Sequence, residues 1–233
     1  MKNEEKKTKV FNVVILDKSG SMSSIAREAV DSVNETLGSI RSAQEKNENQ
    51  THTITLVAFC GCEQRRLFFD TPIAEAQNLS YDDYNPCCMT PLYDAIGNTI
   101  TAIHDLWKKE EKALVSVTII TDGYENASRE FSGKAIKALI DAYKKEGWLF
   151  AYIGADHDVA AVSADLSISS CMQFSKSSEG VQRMSLKSDF ARDRWLQVSS
   201  AIMDSDEMEL CEKMTRLEDL NKDYFEGDED ETL

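Results

Sequence analysis

Apolar runs along the chain alternate with segments in which apolar residues recur every three or four positions. Short apolar runs rich in β-branched residues are typical of strands that are buried on both faces. Five such runs predict strands at residues 10–16, 51–60, 113–122, 148–156 and 170–174. The first intervening segment has helical spacing that gives it one apolar face. Its apolar positions are Ile25, Ala29, Val33, Leu37 and Ile40.

The same helical spacing predicts four further helices, at residues 92–107, 135–143, 159–164 and 178–203. One connection differs, because no helix separates the second strand from the segment "EQRRLFFD" that follows it. Gly61 permits a tight reversal at this point, which predicts a β-hairpin. Arg65 and Arg66 suit a sheet edge, where charge discourages pairing with other chains.

Strands that alternate with helices are typical of a mainly parallel sheet with helices on both faces and right-handed crossovers. The predicted fold class is therefore α/β. We interpret residues 10–203 as one domain and residues 1–9 as a charged N-terminal extension. Residues 204–233 form a strongly acidic tail with some apolar residues at helical spacing. This tail is interpreted either as a short helix docked on the domain or as a helix that binds a partner.

The charge balance excludes several classes of partner. The 233 residues include 41 acidic and 26 basic side chains, which gives a formal net charge of −15. Nucleic acids and anionic membrane surfaces require clustered Lys and Arg, so neither is expected as a partner.

The sequence contains no apolar run of the roughly 20 residues that a membrane-spanning helix needs, and its charged opening is unlike a signal peptide. We therefore expect a cytoplasmic protein whose six cysteines stay reduced.

Polar side chains follow the predicted strands at the edge where ligands bind in open parallel sheets. Asp17, Ser19 and Ser21 follow the first strand. Asp122 ends a later strand, and Thr90 lies just before a predicted helix. All five side chains offer hard oxygen atoms, which are the ligands of Mg²⁺ or Ca²⁺ rather than of zinc or copper.

The D-x-S-x-S spacing suits a shared ion. In an extended loop, residues two apart point the same way, so Asp17, Ser19 and Ser21 can meet one cation. Only two of the five candidate ligands are charged. Mg²⁺ typically binds one or two carboxylates and retains several water molecules, so one coordination position would remain open to an outside oxygen. Each part also has a purely structural interpretation. The stretch "DKSGSM" could be a turn with a helix N-cap, Thr90 could be the N-cap of the next helix, and "TDG" could be a turn.

The motif resembles the metal-ion-dependent adhesion site of von Willebrand factor type A domains, whose five positions are matched here by Asp17, Ser19, Ser21, Thr90 and Asp122. The stretches "TPLYDAIG" and "TDGYENASRE" are similar to the stand-alone cytoplasmic type A proteins of bacteria and their phages. The resemblance extends over residues 10–203. It implies a Rossmann-like, doubly wound sheet of about six mainly parallel strands, with residues 64–69 as an antiparallel edge strand.

The resemblance also implies a way of binding partners. A divalent cation, usually Mg²⁺ with Mn²⁺ or Ca²⁺ as alternatives, would be bound directly by Ser19, Ser21 and Thr90. Asp17 and Asp122 would often act through waters. A glutamate or aspartate of a partner protein would supply the missing ligand, and members of the family often serve AAA+ ATPases or larger assemblies. The expected function is that of a metal-dependent protein-binding module and not of an enzyme.

Four cysteines lie near the same edge of the predicted sheet and leave a second interpretation open. Cys60 and Cys62 lie at the end of the second strand, and Cys87 and Cys88 lie just before Thr90. These thiols could hold zinc or form a redox pair, which would make the chain a thiol- or zinc-dependent regulatory protein. The spacing matches no standard zinc module, and we expect free cysteines packed as small apolar residues.

A metal-dependent phosphohydrolase on a Rossmann-like sheet is the remaining alternative. Phosphatases of the haloacid dehalogenase type keep their nucleophilic Asp at the end of the first strand, where this chain has Asp17. Those sites need a second carboxylate two residues later, and Ser19 occupies that position. The sequence contains neither a G-x-S-x-G elbow nor a phosphate-binding G-x-x-x-x-G-K-[ST] loop.

Overall fold

The computed structural model describes residues 7–155 and 158–226, and within them one sheet contains six strands. The strands are β1 (Thr8–Asp17), β2 (Gln50–Cys60), β3 (Glu63–Pro72), β4 (Ala113–Thr121), β5 (Leu149–Gly154) and β6 (Ser170–Gln173). Each predicted strand is present, and the second strand of the hairpin is longer than predicted. Residues 1–6 of the predicted extension, residue 156 of the predicted strand 148–156 and residues 227–233 of the acidic tail lie outside the described residues.

The strand order is β3-β2-β1-β4-β5-β6. β1 pairs in parallel with both β2 and β4, and parallel pairing continues through β5 to β6. β3 is antiparallel to β2 and forms one edge of the sheet, which confirms the prediction for the hairpin. Arg65 and Arg66 are exposed on this edge.

Six helices are present in the described residues: α1 (Ala26–Lys46), α2 (Leu92–Trp107), α3 (Gly133–Lys145), α4 (Val159–Asp165), α5 (Ser178–Asp204) and α6 (Leu210–Lys222). A short 3₁₀ turn (Gly20–Ile25) precedes α1. None of the helices in residues 7–155 and 158–226 is both long and apolar enough to span a membrane.

The central strand β1 contributes side chains to two hydrophobic cores, because successive residues of a strand point to opposite faces of the sheet. Val14 and Leu16 pack with buried residues of α1, α5 and α6. Val13 and Ile15 pack with buried residues of α2 and α3. Helices therefore cover both faces of the sheet, which confirms the predicted doubly wound α/β class.

The last helix, α6, is packed onto the rest of the molecule. Leu217 of this helix is buried in the core that α1 and α5 share. The side chain of Asn221 accepts a hydrogen bond from Trp195 Nε1 (2.7 Å) and donates to the backbone oxygens of Gly147 and Trp148 (3.3 and 3.1 Å). These contacts pack α6 against α5 and against the segment that leads into β5.

Candidate metal centre at the carboxyl ends of the strands

Two buried carboxylates lie at the ends of the neighbouring strands β1 and β4. Asp17 is the last residue of β1, and Asp122 directly follows Thr121, the last residue of β4. Parallel pairing of Leu16 with Ile120 brings the two strand ends to the same edge. Both aspartates are buried. A buried carboxylate requires hydrogen bonds or a cation, because an unpaired charge is costly to remove from water.

Asp17 receives hydrogen bonds at both of its carboxylate oxygens. Ser19 N donates to Oδ1 (2.6 Å), and Thr121 Oγ1 donates to Oδ2 (2.7 Å). Burial raises the pKa of Asp17 above its ordinary value, and the hydrogen bonds from Thr121 and Ser19 oppose that rise. The Tyr84 hydroxyl donates to the backbone oxygen of Asp17. These contacts fix the start of the D-x-S-x-S loop.

The hydroxyls of Ser19 and Ser21 and the carboxylate of Asp122 form a continuous row of oxygen atoms. Ser19 Oγ lies 3.1 Å from Ser21 Oγ, and Ser21 Oγ donates a hydrogen bond to Asp122 Oδ1 at 2.6 Å. The structure thus brings three of the predicted ligands together from two separate stretches of the chain. Ser21 is exposed, so this row of oxygens reaches the surface of the molecule.

Thr90, in the loop before α2, lies near Ser21 on the side of Gly123. A Cβ atom placed on Gly123 would lie 3.7 Å from Ser21 Oγ and 3.8 Å from Thr90 Oγ1, so both hydroxyls border the space beside Gly123. The backbone of Thr90 is held by Asn126. Oδ1 of Asn126 accepts from Thr90 N (2.8 Å), and the backbone N–H of Asn126 donates to Thr90 O (3.1 Å). The missing side chain at Gly123 leaves a cradle between the two hydroxyls.

Helix capping does not account for the hydroxyls of Thr90 and Ser19. The N-cap of α2 is Pro91, so the predicted alternative of an N-cap at Thr90 is wrong. Ser19 occupies the N-cap position of the 3₁₀ turn, but within the described residues its side chain forms no capping hydrogen bond there. Its hydroxyl instead lies beside that of Ser21.

The donor set fits a hard divalent cation. Octahedral Mg²⁺ binds oxygen at about 2.0–2.1 Å, which places neighbouring ligand oxygens about 3 Å apart. The separations of 3.1 Å between Ser19 and Ser21 and of 2.6 Å between Ser21 and Asp122 are close to that spacing. Magnesium sites in proteins usually contain only one or two carboxylates. This site offers two carboxylates, and its other candidate ligands are neutral hydroxyls.

The residues that surround the candidate ligands were not predicted from the sequence. Thr121 and Asn126 both lie in the stretch "TDGYENASRE" beside Asp122, so the motif itself marks where to look for them. Tyr84 lies in the connection between β3 and α2, and no motif singles it out. Lys176, in the connection between β6 and α5, carries no sequence signal either, yet its Nζ lies 2.5 Å from Asp122 Oδ2.

The four cysteines near this site form two sulfur pairs. Cys62 and Cys88 are joined by a disulfide, and Cys60 Sγ lies 3.3 Å from Cys87 Sγ. The expectation that all cysteines stay reduced is therefore wrong for Cys62 and Cys88. Packing as small apolar residues holds for the buried Cys60 but is wrong for Cys62 and Cys88, which are exposed. The pairing joins the β2–β3 turn to the loop before α2, a proximity that arises only in the folded chain.

No protein-family model matches the sequence, and no curated protein matches it. Solved structures do match. The vWF domain of the type V pili tip protein Mfa5 from Porphyromonas gingivalis is 11% identical, with a TM-score of 0.54 and coverage of 87% of this chain and 99% of that chain. The SpRpn10 VWA domain is 14% identical, with a TM-score of 0.50 and coverage of 77% and 94%.

A third similar structure is proximal thread matrix protein 1 from the mussel byssus. It is 15% identical, with a TM-score of 0.54 and coverage of 80% of this chain. The chain spans 46% of the length of that protein. Together with the strand order and the antiparallel edge, these likenesses show that the chain has the von Willebrand factor type A fold. Identities this low establish a fold and leave function to the site.

Proposed function

We propose that the chain is a magnesium-dependent protein-binding module whose ion is held by Asp17, Ser19, Ser21, Thr90 and Asp122. The observation that carries the proposal is the row of oxygen atoms from Ser19 to Asp122, which reaches the surface beside the Gly123 cradle. The same hard oxygen donors would accept Mn²⁺ or Ca²⁺. When bound, the ion supplies positive charge and a coordination position for an outside carboxylate.

The side chains at the site would contribute to ion binding in different ways. Asp17 has both oxygens engaged in hydrogen bonds, so it supplies charge and orients the D-x-S-x-S loop. The hydroxyls of Ser19, Ser21 and Thr90 are neutral donors that add no charge. A site with few charged ligands keeps the cation incompletely neutralised, which favours an anionic ligand from outside.

Local charge explains how an acidic chain would attract an acidic partner. Asp17, Asp122 and Lys176 together carry one net negative charge, which a dication converts into one net positive charge. The net charge of −15 repels a carboxylate at long range. Physiological salt screens such repulsion beyond about 8 Å, so the local attraction decides binding.

The proposed ligand is an Asp or Glu side chain on a partner protein, in an AAA+ ATPase complex or another larger assembly of the cytoplasm. Two of the similar structures support a modular role, because they are named as domains, one of them of a pilus tip protein. The acidic surface of this chain supports a protein partner over a nucleic acid or an anionic membrane.

Binding of paired peptides tests the proposal. A peptide array would present sequences that contain a single Asp or Glu, each beside a counterpart with Asn or Gln, to the full chain in Mg²⁺ or in excess EDTA. We expect binding that requires both the carboxylate and the ion. Equal binding in EDTA, or equal binding of the amide counterparts, would contradict the proposal.

Two variants of the chain complete this experiment. Ser21→Ala removes one exposed hydroxyl and should abolish peptide binding. It also removes a hydrogen bond to the buried Asp122, so the metal-free variant should unfold at a lower temperature than the wild type but remain folded under the conditions of the binding assay. Asp17→Ala serves in capture from a lysate. Proteins lost both with this variant and with EDTA would be the candidate partners.

A further inference from the structure

Four cysteines meet beside the candidate metal centre, and Cys60, Cys62, Cys87 and Cys88 are together called the sulfur cluster. The Sγ atoms of Cys60, Cys62 and Cys87 lie within 4.8 Å of one another. The separation between Cys60 and Cys87 is 3.3 Å, and Cys88 is bonded to Cys62. All four sulfur atoms therefore occupy one small volume.

The spacing of these sulfur atoms suits tetrahedral zinc. Zinc binds thiolate sulfur at about 2.3 Å, which places the four sulfurs of a tetrahedral site about 3.8 Å apart. The separations among Cys60, Cys62 and Cys87, from 3.3 Å to at most 4.8 Å, bracket that value. Reduction of the disulfide would free Cys88 as a fourth thiol already next to Cys62.

The backbone holds the two segments of the cluster together independently of the sulfur atoms. Gly61 N donates to Met89 O (2.7 Å), which joins the two segments directly. Cys87 N donates to Lys18 O (2.8 Å), which holds the second segment against the D-x-S-x-S loop. Cys88 has a φ of 61°, a left-handed conformation that is uncommon for residues other than glycine. This turn allows the adjacent Cys87 and Cys88 to contribute to the same cluster.

Simpler explanations account for only part of the cluster. A structural disulfide explains Cys62 and Cys88 but gives no reason for the second sulfur pair. Apolar packing explains Cys60, which is only 2% exposed, but not the two exposed cysteines. A single zinc ion would use all four sulfur atoms.

We propose that the reduced sulfur cluster binds one zinc ion through four thiolates and fastens the β2–β3 turn to the loop before α2. Only Met89 separates Cys88 from Thr90, so the same clamp positions the Thr90 loop. The zinc site goes beyond the proposed function, because its assembly requires no ion at the candidate metal centre.

The disulfide and the zinc site are alternative states of the same sulfur atoms. A dithiol reductant transfers two electrons and two protons to the Cys62–Cys88 bond and is itself oxidised to a disulfide. The four thiols then release four protons as their thiolates bind Zn²⁺.

Zinc content of the full chain tests this inference. The chain is expressed with zinc, purified in a phosphine reductant, desalted and analysed by elemental mass spectrometry. We expect about one zinc per chain and, after replacement by Co²⁺, the absorption bands of tetrahedral thiolate coordination. Cys60→Ser and Cys87→Ser leave the disulfide pair intact and should each weaken zinc binding by roughly tenfold or more, measured against a chelating dye.

Cys171→Ser and Cys211→Ser are matched controls, because both cysteines are free and lie outside the cluster. Both should keep the zinc content of the wild type. Reduced wild-type protein without zinc, or Cys60→Ser that binds zinc as tightly as the wild type, would overturn the inference. Magnesium binding measured on the same samples separates this outcome from a failure of the proposed function.

Discussion

Nζ of Lys176 lies 2.5 Å from Oδ2 of Asp122, while the other carboxylate oxygen of Asp122 accepts the hydrogen bond from Ser21. Asp122 is thus shared between the D-x-S-x-S loop and the connection between β6 and α5. Its side chain is fully buried, so salt screens this ion pair far less than it would a surface pair. A cation bound at the site would have to share Asp122 with the Lys176 ammonium.

Replacement of Lys176 by Met should therefore strengthen magnesium binding. A unit charge a few ångströms from a dication is repelled by about 1–2 kcal/mol even at the dielectric constant of water, which corresponds to roughly tenfold in Kd. Titration calorimetry of Mg²⁺ into the wild type and Lys176→Met measures the change. Lys145→Met, at the exposed end of α3, is the control and should bind like the wild type. Unchanged or weaker binding by Lys176→Met would contradict this competition.

Asn126 should control magnesium affinity without contacting the ion. Asn126→Ala leaves the N–H of the buried Thr90 without its acceptor, which should lower the free energy of unfolding by about 1–3 kcal/mol. The freed Thr90 loop should also weaken magnesium binding several-fold. Urea unfolding and calorimetry measure the two effects, with the exposed Asn78→Ala as control. Full magnesium affinity in Asn126→Ala would argue against Thr90 as a ligand.

The sheet could be predicted from the sequence because strands covered on both faces are apolar almost throughout, as β1 and β4 are. The ends of parallel strands meet at one edge, which is why Asp17 and Asp122 could be placed together. Their surroundings could not be predicted in the same way. The position of Lys176 depends on how the connection between β6 and α5 folds back, and the Cys62–Cys88 bond depends on two loops meeting.

His52 should make the fold sensitive to acid. Burial, together with the positive charge of Arg192, lowers the pKa of His52 from 6.5 to about 4. The unfolded chain therefore binds the proton more readily, and stability is present above pH 6.5 and is lost as the pH falls towards about 4. The loss from this residue between pH 7 and pH 5 should be about 2 kcal/mol.

Urea unfolding of the wild type and of His52→Gln at these two pH values tests this linkage. The variant should be less stable than the wild type at neutral pH, because it loses the packing of the buried ring. Its stability should nevertheless fall less between pH 7 and pH 5. An equal fall in both proteins would show that other groups cause the acid sensitivity.

Asn221 should be essential for docking of α6. Asn221→Ala removes the acceptor of the buried Trp195 Nε1 and two donors to backbone oxygens, so the free energy of unfolding should fall by about 1–3 kcal/mol. Asp219→Ala on the exposed face of the same helix should change it by at most about 0.5 kcal/mol. If Asn221→Ala lowered the free energy of unfolding as little as Asp219→Ala, α6 would contribute little to the folded domain.

Crystals of the full chain grown with Mn²⁺ test the central claim most directly, because the anomalous scattering of manganese locates the ion without reference to the protein atoms. We predict one strong anomalous peak within about 2.0–2.6 Å of the hydroxyl oxygens of Ser19, Ser21 and Thr90, with Asp17 and Asp122 beside it. No peak among these five side chains, or a strong peak only elsewhere on the chain, would contradict the account.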